Sequence, residues 1–203
     1  MILSLTGLVV SLFFVDIKIM YLLGPLALLT ILYSIPVSGK QKNGFRLQKV
    51  PGLKIVLIAF VWSAATVFIP VYLMKEVFST SEVLLVFAER FAFIFAIAIP
   101  FDIRDNKADA LVGIKSIPVV LGENKALLIS NIAMLIYLVL AGIHYRLFHL
   151  DYIIPAYAVS ITSLYIFVNS KKLRNLPLYY HGLLDGNIIL QGLLICLSYY
   201  FHF

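Results

Sequence analysis

The sequence has little charge: Asp, Glu, Lys and Arg make up 13% of its 203 residues, against about 25% in soluble domains. Apolar residues make up 62%, more than the roughly 45–50% of soluble domains. These proportions exclude a water-soluble globular domain, a disordered chain and a nucleic-acid-binding protein. The only cysteine is Cys196, so the chain cannot form an internal disulfide and no metal cluster built on cysteines is expected. The composition predicts an integral membrane protein embedded in the lipid bilayer.

Seven apolar runs are candidates for membrane-spanning helices, since a helix crosses the hydrocarbon core in about 20 residues. Five of them contain no charged side chain, while the fourth contains Glu89 and Arg90 and the seventh contains Asp185. Membrane strands would alternate polar and apolar residues, which runs such as 55–62 do not. We predict an all-α fold, a polytopic bundle of about seven transmembrane helices that forms a single domain over residues 1–203. The predicted spans are Met1–Val15, Ile19–Val37, Ile55–Met74, Val83–Phe101, Ala126–Tyr145, Tyr152–Ser170 and Leu178–Phe203.

The basic residues lie mostly on one side of the predicted membrane. The loops after the second, fourth and sixth spans hold twelve Lys and Arg residues, whereas the opposite side holds Lys18, Lys75 and Arg146. An excess of Lys and Arg in short loops marks the cytoplasmic side. The chain is therefore predicted to be a multi-pass cell-membrane protein with a cytoplasmic N-terminus and an outer C-terminus.

Two charged residues within the spans are expected to pair, because ionisable side chains in a membrane are costly and usually face the bundle interior. Arg90 lies about 12 residues, and Asp185 about 8, from the cytoplasmic end of its span. At 1.5 Å per residue the offset is about 6 Å, which a long Arg side chain can bridge. We predict an interhelical Arg90–Asp185 pair with a structural role. His144 is predicted to be a polar boundary residue at the outer surface.

Three of the ten acidic residues stand together at the cytoplasmic end of the fourth span: Asp102, Asp105 and Asp109. Their spacings of three and four residues place them on one face of a helix that continues out of the membrane. Like charges so arranged repel one another, and a divalent cation would remove the repulsion; Mg²⁺ typically takes one or two carboxylates plus phosphate oxygens of a substrate. The alternative is a solvated loop in which Arg104 and Lys107 neutralise the acids.

The segment 102–122 reads DIRDNKADALVGIKSIPVVLG. Its Asp-x-x-Asp-x-x-x-Asp pattern is followed by Gly-x-Lys-Ser and a short apolar stretch that ends in Gly. This segment resembles the second aspartate-rich motif of the UbiA superfamily of intramembrane prenyltransferases, which lies in a cytoplasmic loop after the sixth of nine helices. The end of the second span at Tyr33, with Lys40 after it, is similar to the Tyr-rich, basic exit of the family's fourth helix.

The resemblance implies a UbiA-like bundle that transfers an isoprenyl group from a prenyl diphosphate to an aromatic or other lipid-soluble acceptor, with Mg²⁺ as cofactor. It implies that Asp105 and Asp109 hold Mg²⁺, with Asp102 beside them as a third catalytic carboxylate. The residues that it implies for diphosphate binding are Lys115, Lys40, Arg46 and Tyr33.

The resemblance covers the last seven helices of the family. It implies two further helices with a first aspartate-rich motif, so we expect a segment of roughly 60–90 residues before Met1 and little turnover by the 203-residue chain alone. Two other functions stay open. One is a non-catalytic family member that binds isoprenoid lipid or a partner, and the other is a small transporter with Glu89, Arg90 and Asp185 as its polar path.

The predicted orientation can be measured by thiol labelling. A cysteine placed at Asn106, in a Cys196→Ser background, is expected to resist an impermeant thiol reagent added to intact cells, because the acidic segment is predicted to face the cytoplasm. The same cysteine should react once the membrane is permeabilised. Ready labelling of intact cells would invert the predicted topology.

Overall fold

The computed structural model describes residues 16–34, 50–74 and 78–202. These ranges are mainly helical and contain no strand. Residues Asp151–Ile153 form a 3₁₀ turn, and residues Tyr179–Leu184 form a π-helical turn. The first predicted span, Met1–Val15, lies outside the described residues. The helices are α1 (Ile17–Ser34), α2 (Leu53–Met74), α3 (Thr80–Val112), α4 (Ile117–Leu121), α5 (Glu123–Leu147), α6 (Ile154–Asn169), α7 (Lys171–Arg174) and α8 (Asp185–His202).

Five of the described helical segments are long and apolar enough to cross a membrane, and the shorter apolar helix Ile17–Ile31 accompanies them. Large apolar side chains on these segments are exposed; Leu135 is 61% exposed and Leu193 is 58% exposed. An apolar surface of this extent is typical of contact with lipid or with another protein. The prediction of an all-α, polytopic membrane bundle is confirmed. The five long segments are Leu53–Met74, Thr80–Val112, Glu123–Leu147, Asp151–Asn169 and Tyr179–His202.

The helix α3 carries the acidic residues beyond the predicted membrane span. Its 33 residues correspond to about 50 Å, well above the roughly 30 Å of the hydrocarbon core. It begins after Ser79, whose hydroxyl oxygen accepts a hydrogen bond from the Glu82 backbone N–H, and it ends at Gly113 with φ 76°. A residue with a Cβ would be strained at that φ. The expectation that one helix continues through Asp102 and Asp109 is confirmed.

Small residues allow α3 to pack closely against α5. Ala92 and Ala96 on α3 meet Ala133 on α5 within the main core cluster, and interfaces between membrane helices are commonly built on such small side chains. The Ser130 hydroxyl donates a hydrogen bond of 2.8 Å to the Ala96 carbonyl oxygen. The two helices are thus joined by packing and by a direct polar contact.

A second polar contact between α3 and α5 corrects one prediction. His144 does not lie at the outer surface: it is 3% exposed, and its Nδ1 is 2.7 Å from Oε1 of Glu89. Glu89 is itself only 2% exposed. An intramembrane carboxylate needs a polar partner, and the buried His144 near the C-terminal end of α5 supplies one.

The Ser130 contact generates a stability prediction. Ser130→Ala keeps the packing and removes one interhelical hydrogen bond, which should lower the free energy of unfolding by about 0.6 kcal/mol. Ser130→Leu adds a large side chain to a fully buried site and should cost on the order of 1–3 kcal/mol. Thermal unfolding in detergent checks both, with Ile132→Leu on the exposed face of α5 as the control. Equal Tm values for Ser130→Leu and Ile132→Leu would contradict this packing.

Candidate functional site

A cavity of about 670 Å³ opens between α2, α3 and α8. One end of it is acidic, since Asp102, Asp105 and Asp185 contribute three carboxylates to the wall and Lys54 one ammonium. The rest of the wall is almost entirely apolar until Arg90 at the opposite end. The apolar and hydroxyl residues on this wall are Ile58, Trp62, Thr66, Phe93, Ile94, Ile97, Ala98, Phe101, Ile188 and Ile189.

The charged and apolar parts of the wall follow the helix repeat. On α2 the lining residues recur at every fourth position from Lys54 to Thr66, and on α3 they run from Asp102 back to Arg90. Each stretch covers twelve residues, or about 18 Å at 1.5 Å per residue. The two helices run in opposite directions, so Lys54 meets Asp102 at one end and Thr66 lies towards Arg90 at the other. The cavity is therefore a long apolar groove with one charged mouth.

Lys54 joins two of the predicted carboxylates. Its Nζ lies 2.9 Å from Oδ1 of Asp102 and 3.0 Å from Oδ2 of Asp109. Residues seven apart on a helix point in nearly the same direction and are about 10.5 Å apart along the axis, so one ammonium can lie between them. Both carboxylates are well buried, with side chains 3% and 8% exposed. In the sequence Lys54 is one of the twelve basic residues of the predicted cytoplasmic loops, and its position directly before the apolar run 55–62 was the available signal.

The local backbone explains why Lys54 reaches these acids. Gly52, two residues before it, has φ 73°, and its N–H donates a 3.0 Å hydrogen bond to the carbonyl oxygen of Lys115. Lys115 follows the end of α3, so this bond ties the start of α2 to the segment just after the acidic residues. A Cβ at Gly52 would be strained at this φ and would lie 3.4 Å from Ile117. The Lys54 side chain is thereby held beside α3.

Asp105 points away from Lys54 towards Arg104. Its Oδ1 accepts a hydrogen bond of 2.8 Å from Nε of Arg104, and its side chain is 37% exposed. The Arg104 guanidinium also lies 4.8 Å from the centre of the Tyr180 ring. Tyr180 belongs to the π-helical turn, which ends at Asp185 on the cavity wall. This turn therefore brings the start of α8 to the acidic end of α3.

The predicted Asp105–Asp109 pair shares no common partner in the structure, since Arg104 binds one carboxylate and Lys54 the other. In the part of the chain that the structure describes, no group of three or more His, Cys, Asp or Glu residues is arranged to hold a metal ion by itself. A divalent cation here would need oxygen ligands from a bound molecule as well, which is the usual situation for Mg²⁺. Oδ2 of Asp102 is buried and has no hydrogen-bond partner. Asp102 and Asp105, both on the cavity wall, therefore fit a hard cation.

None of the predicted diphosphate-binding residues lines the large cavity among the residues that the structure describes. Lys115 is exposed and does not line the cavity. Tyr33 lines a smaller cavity of about 150 Å³ between α1 and α2, and Lys54 lies on the wall of both cavities. The Tyr33 hydroxyl is buried without a hydrogen-bond partner. Lys40 and Arg46 lie outside the described residues.

The predicted Arg90–Asp185 pair does not form. Nη1 of Arg90 instead donates a 3.0 Å hydrogen bond to Oε1 of Gln191, and Asp185 lies 3.4 Å from Nδ1 of His181. Arg90 and Asp185 both line the cavity, but they lie towards opposite ends of it. The prediction rested on the offset along the helix axes alone, whereas the structure gives each side chain a different partner on the α8 side of the bundle.

The fold and the cavity define a polytopic membrane protein with an internal cavity that is charged at one end and mostly apolar along the rest of its wall. A family model described as the UbiA prenyltransferase family matches residues 1–177. The chain belongs to this family, and it is a prenyltransferase-type membrane protein. Comparisons with curated proteins and with solved structures gave no match.

The Lys54 cluster, meaning Lys54 with Asp102 and Asp109, generates a second stability prediction. Lys54→Met leaves two buried carboxylates facing each other without a cation, and the free energy of unfolding should fall by on the order of 3 kcal/mol. Adding Asp109→Asn to Lys54→Met should recover part of the loss. Urea or thermal unfolding in detergent measures the coupling.

The matched control for this cycle is Arg146→Met. Arg146 and Asp151 form a pair at 4.0 Å with side chains 83% and 61% exposed, and such a pair contributes about 0–1 kcal/mol. A loss for Lys54→Met no larger than that for Arg146→Met would show that the Lys54 cluster does not hold α2 to α3.

Proposed function

We propose that this protein binds a prenyl diphosphate with Mg²⁺ and transfers the isoprenyl group to an aromatic or other lipid-soluble acceptor. The observation that carries the proposal is the cavity between α2, α3 and α8, with carboxylates at one end and about 18 Å of apolar wall beyond them. A prenyl diphosphate has the same division into a charged head and an apolar tail. Membership of the UbiA prenyltransferase family supports the same reaction.

The charge at the mouth of the cavity supports a requirement for a divalent cation. A diphosphate is a polyanion, and it would meet three carboxylates and the single ammonium of Lys54 on this wall. Repulsion in a water-poor site is strong, so the head group needs additional positive charge. Asp102 and Asp105 would hold Mg²⁺ from the wall, and Mg²⁺ when bound supplies charge neutralisation for the leaving diphosphate. Asp109 acts mainly through Lys54.

The protein residues contribute positioning and the exclusion of water. In the transfer the allylic C–O bond breaks and the diphosphate leaves with the bonding electrons; a bond then forms between the allylic carbon and the acceptor, which loses a proton. Ile58, Ile97 and Phe101 on the apolar wall keep water away from the allylic carbon. The Lys54 ammonium, already beside Asp102, is placed to contact the diphosphate as a cationic donor.

The transporter alternative has less support. It places Glu89, Arg90 and Asp185 on one polar path, whereas Glu89 turns to His144 on α5 and is absent from the cavity wall. Arg90 and Asp185 are separated by apolar wall. We also propose that the acidic end of α3 faces the cytoplasm of the cell membrane, on the basis of the basic loops on that side.

The metal role can be tested by ligand binding. Asp105→Asn and Asp102→Asn should each weaken Mg²⁺-dependent binding of farnesyl diphosphate by roughly tenfold or more, because each removes a carboxylate from the mouth of the cavity. Calorimetric titration of the detergent-solubilised protein, with and without Mg²⁺, measures the effect. Asp151→Asn, at a residue whose side chain is 61% exposed and which does not line the cavity, is the control.

Two results would contradict the proposal. One is farnesyl diphosphate binding that is equally tight with Mg²⁺ and with a chelator. The other is unchanged Mg²⁺-dependent binding in both Asp102→Asn and Asp105→Asn, provided that their Tm values match that of the unmodified protein.

A further inference from the structure

A charged group lies on the wall of the cavity at the end away from the acids. Arg90 is on the wall there, and its Nη1 donates a 3.0 Å hydrogen bond to Oε1 of Gln191 on α8. The amide nitrogen of Gln191 donates in turn to the hydroxyl of Tyr137 on α5. Gln191 and Tyr137 are each only 1% exposed. Three helices therefore hold the Arg90 guanidinium in place by a chain of hydrogen bonds.

Arg90 has no carboxylate partner among the described residues. Glu89, its neighbour in sequence, binds His144, and Asp185 lies near His181. Among the described residues, the Arg90 guanidinium is therefore hydrogen-bonded to the neutral amide of Gln191 and borders the cavity, with no carboxylate to neutralise its charge. A hydrocarbon tail pressed against it would displace any solvent from a guanidinium, and desolvation of an uncompensated charge is strongly unfavourable.

The wall between this charge and the acids contains no other charged group. It runs about 18 Å from Asp102 to Arg90, and its side chains include Phe93, Ile94 and Ile97. Thr66, opposite on α2, uses its hydroxyl within its own helix, where it donates to the carbonyl oxygen of Trp62. An apolar tail can therefore pack along this length, whereas a longer tail would have to pack against the charged Arg90 side chain.

We infer that Arg90, fixed by Gln191, is the end stop of the cavity and limits the length of the isoprenoid tail that the site accepts. This inference rests on the proposed binding of a prenyl diphosphate. Arg90 would then determine specificity without taking part in the transfer. The site would prefer prenyl diphosphates whose tails end before Arg90.

The experiment compares Mg²⁺-dependent binding of geranyl, farnesyl and solanesyl diphosphate to the full 203-residue protein. The unmodified protein should bind farnesyl diphosphate at least about tenfold more tightly than solanesyl diphosphate. Arg90→Met removes the charge and should reduce this ratio towards one. Arg90→Lys keeps a cation at the same position and should preserve the ratio.

A second variant moves the end stop in the opposite direction. Ile94 lies one helical turn nearer the acids than Arg90 and is partly exposed in the cavity, so Ile94→Trp should fill the outer part of the groove. It should weaken binding of farnesyl diphosphate relative to geranyl diphosphate by about tenfold. Leu135→Trp on α5, at a side chain that is 61% exposed and does not line the cavity, is the matched control and should leave every ratio unchanged. Arg90→Gln, which removes the charge and keeps a polar side chain, tests the end stop if Arg90→Met does not fold.

The outcomes separate the inference from the function on which it rests. Binding of all three diphosphates with one affinity, or an Arg90→Met protein that keeps the farnesyl-to-solanesyl ratio of the unmodified protein, would overturn the end stop and leave the proposed function standing. Failure of the unmodified protein to bind any of the three would overturn both.

Discussion

The contact of Lys54 with Asp102 and Asp109 is the interaction on which the site depends. Two carboxylates two turns apart on α3 repel each other, and burial at the edge of a membrane removes most of the water that would screen them. An ammonium from α2 between them turns this repulsion into an attachment between two helices. The same contact fixes the width of the cavity mouth. It also leaves the buried Oδ2 of Asp102 without a hydrogen-bond partner.

The other intramembrane charges obey the same constraint in different ways. Glu89 binds His144, and Arg90 binds the amide of Gln191. Each of these contacts joins α3 to another helix, because a polar side chain inside a bilayer has no water to bind and must find its partner within the protein. The helix α3 is consequently held along its length by polar contacts on one face and by close packing of alanines against α5 on another. The cavity lies beside α3 between two of these contacts, Lys54 with Asp102 at one end and Arg90 with Gln191 towards the other.

The third wall of the cavity comes from a part of the chain beyond the family match. The match ends at residue 177, whereas Asp185, Ile188, Ile189 and Gln191 all lie on the last helical segment. Lys54, Asp102, Asp105 and Asp109 therefore lie within the part that matches the family model, whereas the α8 part of the cavity wall, including the carboxylate of Asp185, lies beyond it.

The sequence by itself determined the solvent in which this protein folds, the helical class of the fold and the place of the acidic cluster. These follow from composition, from the lengths of apolar runs and from the spacing of residues along one helix, all of which are local properties. Only the tertiary structure decided which side chains meet. Lys54 and Asp109 are 55 residues apart, and Arg90 and Gln191 are 101 apart. Such pairs depend on the rotation of each helix about its axis and on the distance between helices, and the packing of the whole bundle sets both. This is why the sequence led to Asp185 as the partner of Arg90, and why it did not reveal the part that Lys54 plays.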